Sequence, residues 1–281
     1  MTMFSIPPIP SHTTWLKRSA KKLATKDGKA VLIFELKVDL KDPKTLSAWA
    51  KHFREHYCLD SQLDMYRKGT NKSRGDYLTD LVFPDATDDF GPATRSGDFA
   101  EILVSDLLQS QYGFFVPRTR YGSKTVRNES TKGSDIIGLK LESGDPTVYA
   151  PSDVLIAFET KAQLKSKSPK NRLQDAVNDS TKDKLRLAES LNAMNRRLID
   201  LSRFEEAEVV QRFQEPIGRP YKRRSGAAAV YCTSLYQPAS VSATDCTGHE
   251  NHGELRLVVV HAKDLMALVH SLYQRAADEA K

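Results

Sequence analysis

The apolar positions of this chain switch repeatedly between a period of two and a period near 3.6. Residues 29–40, KAVLIFELKVDL, alternate as a strand does. From residue 44 to 57 the period lengthens, and Leu46, Trp49, Ala50, Phe53 and Tyr57 form one helical stripe. From Thr94 a second helix carries Phe99, Ile102, Leu103, Leu107 and Leu108 inward, and Gly113 ends it. FFVPRTRYG then reads as a short strand, followed by a polar stretch at 123–133. GSDIIGLKL and VLIAFETKAQL are two further strands, separated by the turn sequence ESGDPT. One long amphipathic helix is expected over 168–201, on Leu173, Ala176, Val177, Leu185, Leu191, Met194 and Leu198. A shorter helix follows at 203–214. Buried strands at 226–236 and 254–262 and a closing helix at 263–279 complete the chain.

This order predicts an α/β fold, an α+β mixed sheet with helices covering it. Prolines at 7, 8 and 10 keep residues 1–27 irregular. The loop signal PDATDDFGP at 84–92 divides an N-terminal accessory region, residues 1–90, from a main domain, residues 91–281.

Chemistry enters where two strands carry acids. Asp135 stands at the head of one, and Glu159-Thr160-Lys161 lies within the other. A strand sends residues i and i+2 to one face, so Glu159, Lys161 and Gln163 project together. Two carboxylates and an ammonium are the minimal equipment for metal-assisted phosphodiester cleavage. The acids hold Mg²⁺ (or Mn²⁺), and the cation stabilises charge or orients water. Asp135 and Glu159 are the expected ligands, with the backbone carbonyl of Thr160 as a third oxygen. Glu101, flanked by Ala100 and Ile102 on the preceding helix, is the expected outer carboxylate. The bland alternative is an exposed Glu–Lys strand pair with Asp135 as a turn residue. Acids at the ends of apolar strands weigh against it, because buried acids need a reason.

A net charge of +6 is compatible with a polyanionic partner. Arg118, Arg120, Lys124, Arg127 and Lys132 precede Asp135, while Lys165, Lys167, Lys170 and Arg172 follow the Glu159 strand. These, with Gln163, are the candidate DNA contacts. Asp175 and Asp179 read as ordinary surface acids, with a supporting role near the site as the alternative. Lys222-Arg223-Arg224 reads as a loop or a partner contact. His52 and His56 match H-x-x-E-H without a third ligand downstream, and Cys232, Cys246, His249 and His252 lack a close Cys pair. The first therefore reads as a half-exposed helix surface, and Cys232 in the second as an ordinary buried thiol of an apolar strand. An odd count of three cysteines, with no basic-then-apolar leader in the N-terminal sequence, predicts a reducing cytoplasm. No apolar run is long enough for a membrane span. The absence of GxxxxGK[ST] predicts that the chain does not itself hydrolyse ATP.

The order GDFAEILVSDLL, KGSDIIGLKL, IAFETKAQL resembles the PD-(D/E)xK nuclease superfamily, with its helix Glu, strand Asp and strand Glu-x-Lys. Within it, the arrangement resembles the HamA family, the nuclease subunit of the Hachiman anti-phage system. The resemblance covers residues 94–270 well and the first 90 poorly. The superfamily's proline is missing, since Gly133-Ser134 precede Asp135. The resemblance implies a restriction-endonuclease-like core, DNA as substrate and a partner helicase that restrains cleavage. It leaves residues 1–90 as a region for docking onto that partner. A restriction- or repair-type nuclease acting without a helicase, and a non-enzymatic DNA-binding or adaptor protein, stay open as alternatives.

Overall fold

A computed structural model describes residues 3–88, 90–130 and 133–280, with the backbone alone for 183–185. The chain runs β1 (Leu16–Arg18), β2 (Leu23–Ala24), β3 (Ala30–Leu36), α1 (Pro43–Glu55), α2 (Asp60–Arg67), α3 (Arg74–Tyr77) and α4 (Gly91–Tyr112). Then come β4 (Ile136–Lys140), β5 (Val154–Gln163), α5 (Arg172–Ser180), α6 (Asp183–Asp200) and α7 (Phe204–Arg212). β6 (Lys222–Cys232), α8 (Pro238–Ser242), β7 (Leu255–Ala262) and α9 (Leu265–Asp278) complete it.

The strands form one sheet in the order β1-β3-β7-β6-β5-β4, with β2 also on β3. β3, β7, β6 and β5 are parallel neighbours. β4 adds antiparallel to β5, and β1 and β2 add antiparallel to β3. The parallel strands are buried on both faces, which is why β6 and β7 read as unbroken apolar runs. One face packs on α1, α4 and α9 through Trp49, Phe53, Phe99, Leu103 and Tyr273. On the other face α5 covers β6 and β7, while α6 and α7 cover β4 and β5.

The predicted mixed sheet with covering helices is therefore the observed fold. Several elements differ from the sequence reading: residues 16–18 and 23–24, expected to be irregular, form β1 and β2 against β3, and Lys222-Arg223-Arg224, read as a loop or partner contact, open β6 beside β5. The helix expected over 168–201 is two helices, because α5 and α6 serve different cores and the chain turns between them. The Ser180 and Thr181 hydroxyls bond back to the carbonyls of Val177 and Asn178, competing with the helix ladder at that turn. The strand expected at 114–122 is reduced to a single bridge between Phe115 and Leu139, where Pro117 interrupts the donors. Residues 1–90, expected as an accessory region, hydrogen-bond into the same sheet through β3, and α1 enters the same core as α4 and α9.

Gly113 ends α4 in the left-handed conformation at φ 65°, as its sequence signals. At the far end of β5, a wholly buried ion pair staples the strand. Arg212 reaches Asp153 at 2.8 Å and three backbone carbonyls, and Asp153 also accepts the N–H of Glu142.

Candidate active site

The register Ile136↔Phe158 sets Asp135 level with Glu159, one step past the end of the β4–β5 ladder. There the carboxylate replaces a strand partner, and Asp135 Oδ2 accepts the Thr160 N–H at 2.9 Å. Close approach of β5 to β6 at this point requires Gly226, since a Cβ there would lie 2.3 Å from the Phe158 ring. The alternation of β5 turns Glu159, Lys161 and Gln163 away from the face that buries Phe158, as predicted.

The site is a chain of alternating charges. Lys161 Nζ lies 2.7 Å from Glu159 Oε1 and 2.8 Å from Asp179 Oδ2. On the other side, Arg120 lies 3.0 Å from both Asp135 Oδ1 and Glu101 Oε2, and Tyr121 donates its hydroxyl to that same Glu101 oxygen. Glu101 and Glu159 are both buried. Burial pushes the carboxyls of Glu101 and Glu159 up, and the neighbouring Asp135 charge adds to the effect on Glu159. Asp135 is pushed up to about 7 by burial and by the Glu101 charge. Burial alone would lower Lys161, but its bonds to Asp179 and Glu159 more than offset this and hold it above the usual lysine value. Glu159 Oε2 is buried without a hydrogen-bond partner among the described residues.

These residues open on a cleft of about 1450 Å³, whose lining includes Glu101, Asp135, Glu159, Thr160 and Lys161. Its rim carries Lys165, Lys170, Arg172, Lys182 and Arg186. The structure thus brings together all four predicted catalytic side chains, and it redistributes the predicted DNA contacts. Lys165 lines the cleft, and Lys167 is exposed on the same loop. Gln163 is buried and pins that loop, bonding Ser168 O and the Lys170 N–H. Lys132 lies outside the described residues.

Four expected contacts turn inward. Arg118 binds Asp106 and Gln109, Arg120 bridges the acids, Lys124 is buried on Asp98 and Arg127 pairs with Asp85. Arg118, Arg120 and Lys124 line a separate pocket of about 360 Å³ beside Asp135. The reason is desolvation: basic side chains close to buried acids gain more as internal partners than as solvated cations. Lys182 and Arg186 carried no signal in the sequence because only the turn between α5 and α6 brings them to the cleft, whereas Asp179, whose alternative reading was a role near the site, meets Lys161 directly from α5. Asp98, one turn before Glu101 on α4, carried a usable signal in its spacing.

His52 and His56 do meet a third group, Asp106, with ligand atoms within 4.8 Å of one another. Arg118 donates to His52 Nδ1 at 2.9 Å, so the neutral ring carries its proton on Nε2 and donates it to Asp106. A metal on Nε2 would leave two donors facing each other at Nδ1. The cluster is instead a hydrogen-bonded network, joined by His12 at 3.0 Å from Asp106. Burial lowers the pKa of His56 well below the usual value. The Cys246 backbone N–H and the His252 ring both meet the Asp27 carboxylate, while His249 pairs with the Ser180 hydroxyl.

Fold and site together define a mixed α/β protein with a nuclease-like core, its acids and lysine gathered where a helix-covered sheet opens on a basic-rimmed cleft. The chain belongs to the HamA family, whose model matches residues 11–276, and the family is a component of the Hachiman antiviral defence system. The match includes the first strands and α1, in keeping with their place in the one sheet and core. No curated protein matches the chain. Among the described residues, no helix is long and apolar enough to cross a membrane.

Proposed function

We propose that this chain is a metal-dependent DNA endonuclease of the PD-(D/E)xK type, working in the cytoplasm as the cleaving component of Hachiman defence under a partner helicase. The observation that carries the reading is Glu159. Its Oε2 is buried beside Asp135 with no hydrogen-bond partner among the described residues, and Lys161 lies two positions along. Burying an ionised oxygen unmatched is costly, and a hard divalent cation is the partner such an oxygen takes.

The residues present fit Mg²⁺ or Mn²⁺. Asp135, Glu159 and the Thr160 carbonyl would hold it. The N–H and C=O of a strand residue share an edge, and the Thr160 N–H already meets Asp135. When bound, the ion supplies Lewis-acid polarisation of the phosphodiester and acidifies water. Lys161 remains an ammonium between Glu159 and Asp179. Its role is therefore electrostatic, donating to the attacked phosphate or orienting water, and not that of a base. Glu101 acts through Arg120 to orient Asp135. The basic rim from Lys165 to Arg186 meets the phosphate backbone without reading sequence.

Plasmid cleavage by the purified chain in Mg²⁺ or Mn²⁺, with and without the proposed partner helicase, tests this. Asp135→Ala and Lys161→Ala should abolish cutting, and variants that cut like wild type would overturn the assignment. Residues 1–90 cannot simply be deleted to test partner docking, because β3 is part of the sheet.

A further inference from the structure

The acid cluster already contains a cation. Arg120 spans the gap between Asp135 and Glu101, with Nη2 on Asp135 Oδ1 and Nε on Glu101 Oε2, both at 3.0 Å. Its remaining Nη donates to the Ser134 carbonyl just before Asp135. Tyr121 donates its hydroxyl to Glu101 Oε2, and Thr160 N–H holds Asp135 Oδ2. Each Asp135 oxygen therefore has a protein donor, and Glu101 faces a guanidinium. Only on the Glu159 side is a buried carboxylate oxygen left without a partner among the described residues.

A divalent ion bridging Glu101 and Asp135 would have to occupy the position of the guanidinium, against the repulsion of a second cation a few ångströms away. Arg120 is also firmly seated, with a planar fork that matches two carboxylates and a side chain only 16 % exposed. We propose that Arg120 is the built-in second cation of this site. It restricts the site to one divalent ion, held on the Asp135–Glu159–Thr160 edge, and acts as a positioning residue that fixes Asp135 and Glu101. The inference rests on the metal-site reading given above.

Mn²⁺ binding to the purified full chain, followed by calorimetry and electron paramagnetic resonance, tests it without recourse to cleavage. Wild type should take one Mn²⁺ with the spectrum of an isolated ion. Arg120→Gln should take two, with a spin-coupled signal from a close pair, while Arg120→Lys, which keeps the charge, should stay at one. A wild type that binds two coupled ions overturns the inference and leaves the nuclease reading standing. A folded Arg120→Gln that still takes one ion overturns the role given to Arg120.

If wild type binds no Mn²⁺, or Glu159→Gln leaves binding unchanged, the metal-site reading itself fails. Should Arg120→Gln not fold, Glu101→Gln decides. Because Glu101 does not touch the ion in this arrangement, Glu101→Gln must weaken Mn²⁺ less than Glu159→Gln does, for which at least a tenfold loss is expected. Equal or greater loss at Glu101 overturns the proposal.

Discussion

Replacing Gly226 by alanine should destabilise the protein by about 1–3 kcal/mol, although alanine is normally the better strand residue by about 0.5–1 kcal/mol. Gly226 sits opposite Phe158 in the β5–β6 register. A Cβ built on it lies 2.3 Å from Cε2 and 2.4 Å from Cδ2 and Cζ of the Phe158 ring. Ordinary carbon contacts are about 3.5–4.0 Å, so ring or strand must withdraw by about 1 Å. The ring has nowhere to go, being 1 % exposed and packed in the core shared with α4. The strain would fall on β5 immediately before Glu159, linking packing to the site. Urea denaturation of Gly226→Ala should show a lower midpoint with an unchanged slope. Phe158→Leu removes the clashing ring atoms, so the double variant should be less destabilised than the sum of the two singles by about 1 kcal/mol or more. A Gly226→Ala protein as stable as wild type, or strict additivity in the double variant, would refute the reasoning.

Removing the wholly buried Arg212 as Arg212→Met takes away the counter-ion of the buried Asp153 carboxylate, and should cost about 3–5 kcal/mol in the same assay. In metal-free protein, Asp135 makes stability fall as pH rises from 4 to 7. Its folded pKa of about 7 exceeds the ordinary 3.8, so the folded state holds the proton more tightly and that advantage is lost with rising pH. The full difference corresponds to on the order of 4 kcal/mol, and thermal melts of Asp135→Asn should lack this component. Mn²⁺ affinity should rise through the same pH range, as the carboxyl ionises; affinity that is flat with pH would contradict the ligand role. Asp179→Asn, by loosening Lys161, should reduce cleavage about tenfold while leaving Mn²⁺ affinity nearly unchanged. Charge removal at Lys165, Lys170, Lys182 or Arg186 should weaken DNA binding equally for all sequences, each lowering the salt dependence by about one phosphate contact.

Much of this was written into local sequence. Strand and helix periods repeat within a few residues, so β3, β5, β6, β7, α1 and α4 were legible from their apolar patterns, and Gly113 marked the end of α4. The two-residue period of β5 also determined that Glu159, Lys161 and Gln163 share a face, whatever that face meets. Family membership followed from the same acids and lysine and is matched over residues 11–276.

What only the tertiary structure decided is who neutralises whom. Arg118, Arg120, Lys124 and Arg127 read as one basic stretch, yet their partners Asp106, Glu101, Asp135, Asp98 and Asp85 come from other segments. Asp179 read as a surface helix acid until the packing of α5 on β5 set it against Lys161. β3 was an accessory strand until it paired with β7. The physical reason is common to all of them. A residue's local conformation depends on its neighbours in the chain, whereas burial and charge pairing depend on the three-dimensional register that brings distant segments together.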